Sequence, residues 1–302
     1  LANWNIAAAA LTTLYTARIV KPTPVIELVG ELCEQAGFTL WADNATGEIQ
    51  LSPLRPKAPV ATVTDDGWIV ADSISIKPLT ERRVSQCWVY YGQINPTEDL
   101  EEEANFYSRI VTPDLDSETS QQYGTPAIKQ VFSRWIPQFG RSAGIEIGER
   151  ITAMFRDPPM EAALRVPRTK SDAIRPADYF LLSTADAQDD TGNPRSVTLA
   201  AVEIGHTEHE TEIRAQEVVF ATPDAGTGER VIYIENPSFN LNLRTVHDSL
   251  YAVPDGTETV RFVIETGIVV GSTSAALPAI ESGTWPAGTT LYLDWLGGRI
   301  QG

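Results

Sequence analysis

Two cysteines, two methionines and three histidines are few for 302 residues, and each shortage closes a class of function. Cys33 lies in a helical pattern and Cys87 in a strand pattern. Both read as small buried hydrophobes. Neither a disulfide framework nor a cysteine zinc site can be built from them, which fits a cytosolic origin. No apolar run approaches the roughly 18 residues that span a bilayer. Ile6–Leu14 is apolar, but no basic stretch precedes it, so no signal peptide is expected. Opening on Leu1 rather than Met fits a fragment or a processed chain. GxGxxG, GxxxxGK[ST] and GxSxG do not occur, so nucleotide loops and a hydrolase elbow have no anchor. Basic residues are scarce too. Lys plus Arg number 23 against 40 acids, a net charge of −17. Such a chain does not grip nucleic acid by neutralising phosphates. It has a solvated acidic surface, or it forms a conduit along which DNA slides without sticking.

What chemistry remains is thin, and each candidate has a plainer reading. His206 and His209, among Glu208, Glu210 and Glu212, could suggest a metal. Residues three apart on a strand point to opposite faces, however, and the stretch reads as a hairpin tip. Asp186, Asp189 and Asp190, with Gly192 and Asn193, are weak candidates for a hard cation. Their spacing misses the EF-hand loop, and an Asx-stabilised turn explains them. No motif anchors the facing carboxylates of a glycosidase. No catalytic, cofactor-binding or firm metal residue is therefore expected, and no cofactor. Of seven tryptophans, most lie in strand-like runs and read as core. Trp285 and Trp295 stand in a turn-rich tail and are the candidates for contact with a host surface.

The chain reads as mainly β with a few helices, an α+β composition. Apolar residues at Val25, Leu28, Val29, Leu32, Cys33 and Ala36 predict one helix, with Gly37 as its C-cap. Phe38–Leu51 predicts a hairpin around Asn44–Gly47. Ile74–Pro78 and Arg83–Tyr91 read as strands. The second is apolar on both faces, as inside a sandwich or barrel. Glu98–Glu103 is a solvated acidic run. Asn105–Val111 is a further strand, Asp114–Thr125 is turn-rich, and Lys129–Trp135 alternates. Ala143, Ile147, Ile151 and Met154 stripe a second helix that Pro158-Pro159 stops. Met160–Val166 and Tyr179–Thr184 are strands, and Asp186–Pro194 is a turn. Ser196–Ile204 and Glu212–Ala221 form a long hairpin. Pro223–Gly228 reads as a linker. No internal repeat is evident. The expected division is a helix-plus-hairpin part over 1–75, a barrel-like domain over 76–225 and a β-rich distal module over 226–302. A short helix over Ala7–Tyr15 opens the chain.

The order of these parts carries a resemblance. TPVIELVGELCEQAGFTLWADNATGEIQLSPL is a helix followed by a hairpin. ERRVSQCWVYYGQINP, EEANFYSRIVTPD and QYGTPAIKQVFSRWI follow as strand-bearing segments. AGIEIGERITAMFRDPP is a helix ending in Pro-Pro, and IRPADYFLLSTADAQDDTGNPRSV is strand, turn and return strand. Together they resemble the body of the hub protein that closes the tail tip or baseplate of a long-tailed bacteriophage, and cover about two-thirds of the chain. Hubs usually carry Gly-Asp before the barrel strand. Ala177-Asp178 stands there in this sequence. The run Ile268–Gly302, with LPAIESGTWPAGTTLYL and GGRIQG, resembles the segment leading into the glycine-rich distal region of tail-tip and central-fibre proteins.

The resemblance implies a structural virion protein rather than an enzyme. It implies a homotrimer with barrel-like hub domains, assembled in the bacterial cytoplasm and residing at the tail tip. Partners would be the tail tube or distal tail protein, the tape-measure protein and fibre or receptor-binding proteins. Phage DNA would pass through a channel whose three copies carry 3 × −17 = −51 charges, and the distal end would meet the host cell surface. The alternative is a carbohydrate-binding or carbohydrate-cleaving virion module.

Overall fold

The computed structural model describes residues 15–43, 47–113, 125–171, 174–188, 191–220 and 229–301. The expected helix over Ala7–Tyr15, the hairpin tip at 44–46, most of the turn-rich stretch Asp114–Thr125, the acids Asp189 and Asp190, and the linker Pro223–Gly228 fall wholly or mostly outside those residues. The protein is mainly β with a few helices. It forms two compact units, each assembled from two stretches: Leu1–Leu54 with Leu79–Pro159, and Arg55–Pro78 with Met160–Gly302. The units are discontinuous because residues 55–78 hydrogen-bond to strands that come after residue 160.

In the first unit, helix α1 (Val25–Ala36) runs into the hairpin β1 (Phe38–Asp43) and β2 (Glu48–Pro53), whose strands pair antiparallel from Phe38–Pro53 to Asp43–Glu48. Gly37 adopts the left-handed conformation, φ 73°, and its N–H caps the carbonyl of Cys33. Two further orphan carbonyls at the helix end accept from the Arg150 guanidinium, Glu34 O at 2.9 Å and Gln35 O at 2.8 Å. A cation at a helix C-terminus also complements the helix dipole. The only buried residue of α1 is polar, and its partner explains that: Ser133 Oγ donates to Gln35 Oε1 at 2.6 Å.

Strands β5 (Gln86–Gln93), β6 (Phe106–Pro113) and β7 (Ile128–Phe132) form a sheet in the order β6-β5-β7. Helix α2 (Arg141–Phe155) lies on one face, burying Ala143, Ile147 and Ile151 against Cys87, Val89, Tyr91 and Val131. Each fully buried isoleucine contributes about 1.5–3 kcal/mol. Gly144 and Gly148 let the helix approach closely. A Cβ at Gly148 would stand 2.2 Å from Thr112 Oγ1. The opposite face holds Trp88 and Tyr90, with Tyr90 stacked on Phe132 at 4.7 Å and Arg109 lying over Trp88 at 4.5 Å. That explains a strand apolar on both sides without a barrel around it.

The second unit opens with a six-stranded sheet, ordered β3 (Ala61–Thr64), β9 (Tyr179–Gln188), β10 (Pro194–His206), β11 (Glu210–Glu217), β8 (Met160–Pro167) and β4 (Ser75–Pro78). Strands β9, β10 and β11 are antiparallel neighbours in chain order, as their turn and hairpin signals predict, and β11 also pairs antiparallel with β8. Their inward residues, among them Leu164, Phe180, Leu182, Leu199 and Ile213, form one core. The expected barrel is an open sheet: among the described residues its edges β3 and β4 do not pair. Both edges come from one short stretch, and the segment between them spans the gap. Trp68 and Ile69 cover the core there, and Val70 N–H donates to Arg165 O at 2.9 Å.

Ala177, where the resemblance leads one to expect glycine, has a left-handed backbone. Its φ is 66°, a left-handed value that costs an L-residue about 1–2 kcal/mol. Asp178 sustains the turn, its carboxylate accepting from Arg175 N–H at 2.9 Å. Burial pushes the Asp178 carboxyl above its ordinary range, against the pull of Lys57.

Candidate functional site

Residues 229–301 wind into a three-sided solenoid. The first coil supplies β12 (Glu229–Ile234), β13 (Ser238–Phe239) and β14 (Leu241–Asn242). The second supplies β15 (Thr259–Ile264), β16 (Val269–Gly271) and β17 (Ile280–Glu281). The third supplies β18 (Thr290–Trp295) and β19 (Arg299–Gln301). Each strand pairs in parallel with its counterpart one coil away, giving the sheets β12-β15-β18, β13-β16-β19 and β14-β17. Glu229 pairs with Thr259 and Thr259 with Thr290, so the coil is 30 and then 31 residues long. This overturns the expectation of no internal repeat. ERVIYI, TVRFVI and TLYLDW are the recurring element. Alternation in six residues is all they share, and the turns between them differ in length and composition.

Parallel stacking places like positions in columns. Ile232, Phe262 and Leu293 form one, and Ile234, Ile264 and Trp295 another. The first two members of each are fully buried. Coil corners bring backbones together at Gly256 and Gly288, φ 106° and 103°. A Cβ on Gly288 would lie 2.5 Å from Gly256 O, so no larger residue fits between the coils there. On the outer face Arg261 bridges Glu229 at 2.9 Å and Asp294, and lies 4.5 Å over the Tyr292 ring.

The first coil departs from the repeat in a way the sequence did not signal. Arg230 occupies the inward column that Val260 and Leu291 fill above it. A buried cation is tolerated only when paired. Arg230 donates to Glu258 Oε1 at 3.1 Å, to Ala252 O at 3.2 Å and to His247 Nε2 at 2.8 Å. His247 is fully buried in helix α4 (Leu243–Asp248; α3 is the single turn Arg168–Ser171), and its Nδ1 sits 2.9 Å from the Asp248 carboxylate. A carboxylate only accepts, so the proton sits on Nδ1 and Nε2 receives the arginine. Burial, aided by Arg230, holds the His247 pKa below its ordinary value despite Asp248.

The candidate contact residues separate. Trp285 is half-buried, edge-on to His247 at 5.1 Å and to Phe262 at 6.5 Å, with its Nε1 donating to Ser282 O at 2.6 Å. It belongs to the solenoid core's rim. Trp295 is 55% exposed on the last coil, beside Leu296 at 59%, with Tyr292 and Ile300 also exposed. Asp186 lies exposed within β9 rather than in a turn, and its N–H donates to Thr184 Oγ1 at 3.3 Å. His206 and His209 are exposed at the β10–β11 tip, and His206 Nδ1 meets Thr211 Oγ1 at 3.0 Å. Among the described residues no group of three or more His, Cys, Asp or Glu side chains is arranged to hold a metal.

With that geometry in place, comparison with known proteins adds a family. Residues 229–302 match the family model of the phage tail fibre adhesin Gp38. The match begins at β12, so it coincides with the solenoid. No curated protein matches the chain. Among solved structures, a 43 kDa tail protein of prophage MuSo2 from Shewanella oneidensis is 11% identical with a TM-score of 0.40, covering 66% of this chain and 56% of its own. The virion of a native gene transfer agent particle gives 10% and 0.42, covering 66% and 40%. Prophage tail protein gp18 from Listeria monocytogenes EGD-e gives 13% and 0.35, covering 67% and 59%. The chain thus spans between 40% and 59% of the length of these proteins. It is similar to phage tail proteins and ends in an adhesin-like module.

Proposed function

We propose that this chain is a structural, non-catalytic component of a phage tail tip, with a hub body that assembles as a homotrimer and a distal solenoid turned to the host surface. The observation that carries the reading is the coincidence of the adhesin family match with the solenoid, whose last coil shows Tyr292, Trp295, Leu296 and Ile300 to solvent. Exposed apolar clusters of that kind mark contact sites. The hub role draws on the order of helices and strands in the body. In this reading the tail tube or distal tail protein and the tape-measure protein meet the body, fibre or receptor-binding proteins adjoin the solenoid, and DNA passes an acidic channel. Two measurements test it. Light scattering after gel filtration gives 3 × 33.0 = 99 kDa for the trimer, and a clean monomer counts against it. Purified protein incubated with host polysaccharide releases no reducing ends. Their release would move the carbohydrate-cleaving alternative forward.

A further inference from the structure

Lys57 is the only buried lysine among the described residues, 3% exposed. Lysine is among the residues least often buried. Its backbone is pinned on two sides. Residue 57 bridges Tyr233 of β12 in parallel, Ala58 N–H donates to Tyr233 O at 3.0 Å, and Val60 N–H donates to Tyr179 O at 2.7 Å. The side chain is thus held between the root of β9 and the first coil of the solenoid. Its Nζ lies 4.7 Å over the Tyr179 ring and 3.6 Å from Glu235 Oε2.

Three carboxyl groups surround this node, and they are not alike. Glu235 Oε1 and Glu265 Oε1 both accept from Arg55, at 2.8 Å and 2.7 Å. A carboxylate paired with a guanidinium keeps its charge and resists a nucleophile. Asp178 makes no ion pair among the described residues. Its Oδ2 accepts from Arg175 N–H at 2.9 Å. Burial pushes the Asp178 carboxyl above its ordinary range, and Lys57 is the strongest of the charges acting on it, with Glu235 opposing. Burial therefore favours the neutral acid, which is the form an amine can attack.

We propose that Lys57 and Asp178 condense to an isopeptide bond inside the folded chain, with Glu235 as the base. The lysine stem is flexible, and its rotation carries Nζ from the Tyr179 ring to the carboxyl of the residue before it. Glu235 Oε2 takes a proton from Nζ, and the nitrogen lone pair attacks Asp178 Cγ. The Arg175 N–H holds Oδ2 as charge develops there, as an oxyanion hole does. Glu235 hands its proton to Oδ1, the Cγ–Oδ1 bond breaks and water leaves. The surplus amine proton goes to solvent. Ammonium and carboxylic acid become amide, water and one proton, with no oxidant and no co-reactant. Oδ2 stays as the amide oxygen and keeps its bond from Arg175, so the turn survives the reaction. The bond ties the stretch beside the first coil to the root of β9, so tension on the solenoid reaches the sheet through covalent bonds.

The test is the mass of the full chain, measured after denaturation. Wild type is lighter than its sequence by one water, and trypsin yields one branched peptide that joins residues 57 and 178 and is uncut after Lys57. Lys57→Met and Asp178→Ala have their full sequence masses. Glu235→Gln keeps both reacting groups and also has its full mass. Folded wild type at its full sequence mass overturns the proposal, whatever the variants do. A water lost at Asp66-Gly67 or Asp255-Gly256 is a succinimide and overturns it equally, which is why the peptide must be mapped. A branched peptide from Glu235→Gln overturns Glu235 as the base.

Discussion

The six-stranded sheet and the solenoid of the second unit differ in where each strand finds its partner. In the sheet, β9, β10 and β11 bond to strands next to them in sequence, across short turns. In the solenoid every strand bonds to one 30 or more residues away. A sheet strand is therefore held in part by its sequence neighbour across a short turn, while a coil is held only by the coils on either side. The lesson is that equal burial does not mean equal autonomy. Leu199 and Phe262 are both fully buried, but damage at the first should stay local and damage at the second should spread.

Phe262→Ala is the strongest way to break that comparison. Phe262 stands mid-column between Ile232 and Leu293 and touches the Trp285 rim. Its truncation should cost about 3–5 kcal/mol. Amide hydrogen exchange should accelerate across 229–301, while β9 and β10 keep their protection. Acceleration confined to β15 would show that the coils are not one cooperative body.

Acid should separate the regions next. His247 holds its proton less readily folded than unfolded, so the unfolded chain binds more protons as the pH falls. The stabilisation is complete above the ordinary value of 6.5 and is lost as the pH drops from there through the lower folded value. Protonation also sets a second cation against Arg230, 2.8 Å away. Protection of the solenoid amides, relative to their intrinsic exchange rate at each pH, should fall as the pH drops below about 6.5, more than in the sheet. His247→Gln should remove that difference, at some cost in stability at neutral pH. A slope surviving the substitution would place the acid response elsewhere.

The sheet has its own strained point. Ala177→Gly should relieve the left-handed backbone and stabilise the turn into β9 by about 0.5–1 kcal/mol, once the entropy of glycine is subtracted. The gain should appear in the urea midpoint of the sheet and not in the solenoid's exchange. A loss of stability would mean that the Ala177 side chain contributes packing that outweighs the strain.

The same difference decides what could be read from the residues. Helix α1 with Gly37, helix α2 with its Ala143–Ile147–Ile151 stripe, and the β10–β11 hairpin were all legible, because their signals lie within one helix or one hairpin. The solenoid was not. ERVIYI and TVRFVI share an alternation that any half-buried strand shows, and their partnership depends on the intervening turns returning the chain to its starting side. The open sheet escaped for the same reason: Ile74–Pro78 read as an ordinary short strand, Ala61–Thr64 was not read as a strand at all, and nothing local places the two on opposite edges. Of the site, Trp285 and Trp295 were singled out together because composition cannot tell a rim residue from a free one. Arg230 and His247 gave no signal at all, since a buried cation is recognised by its partners and those lie up to 28 residues away.

Those two tryptophans supply the smallest and most specific test. Trp295→Ala should cost about 1 kcal/mol, since the half-exposed ring only ends the column above Ile264. Trp285→Ala should cost clearly more, because it uncovers Phe262 and the edge of His247. Adsorption of particles carrying either variant then divides the two roles. If the last coil touches the host, Trp295→Ala lowers adsorption while the solenoid's exchange protection is unchanged. Trp285→Ala lowers adsorption only as far as it loosens the fold, so cooling should restore much of it. Unchanged adsorption with Trp295→Ala would move the contact off the last coil, and the solenoid would then serve as a stem.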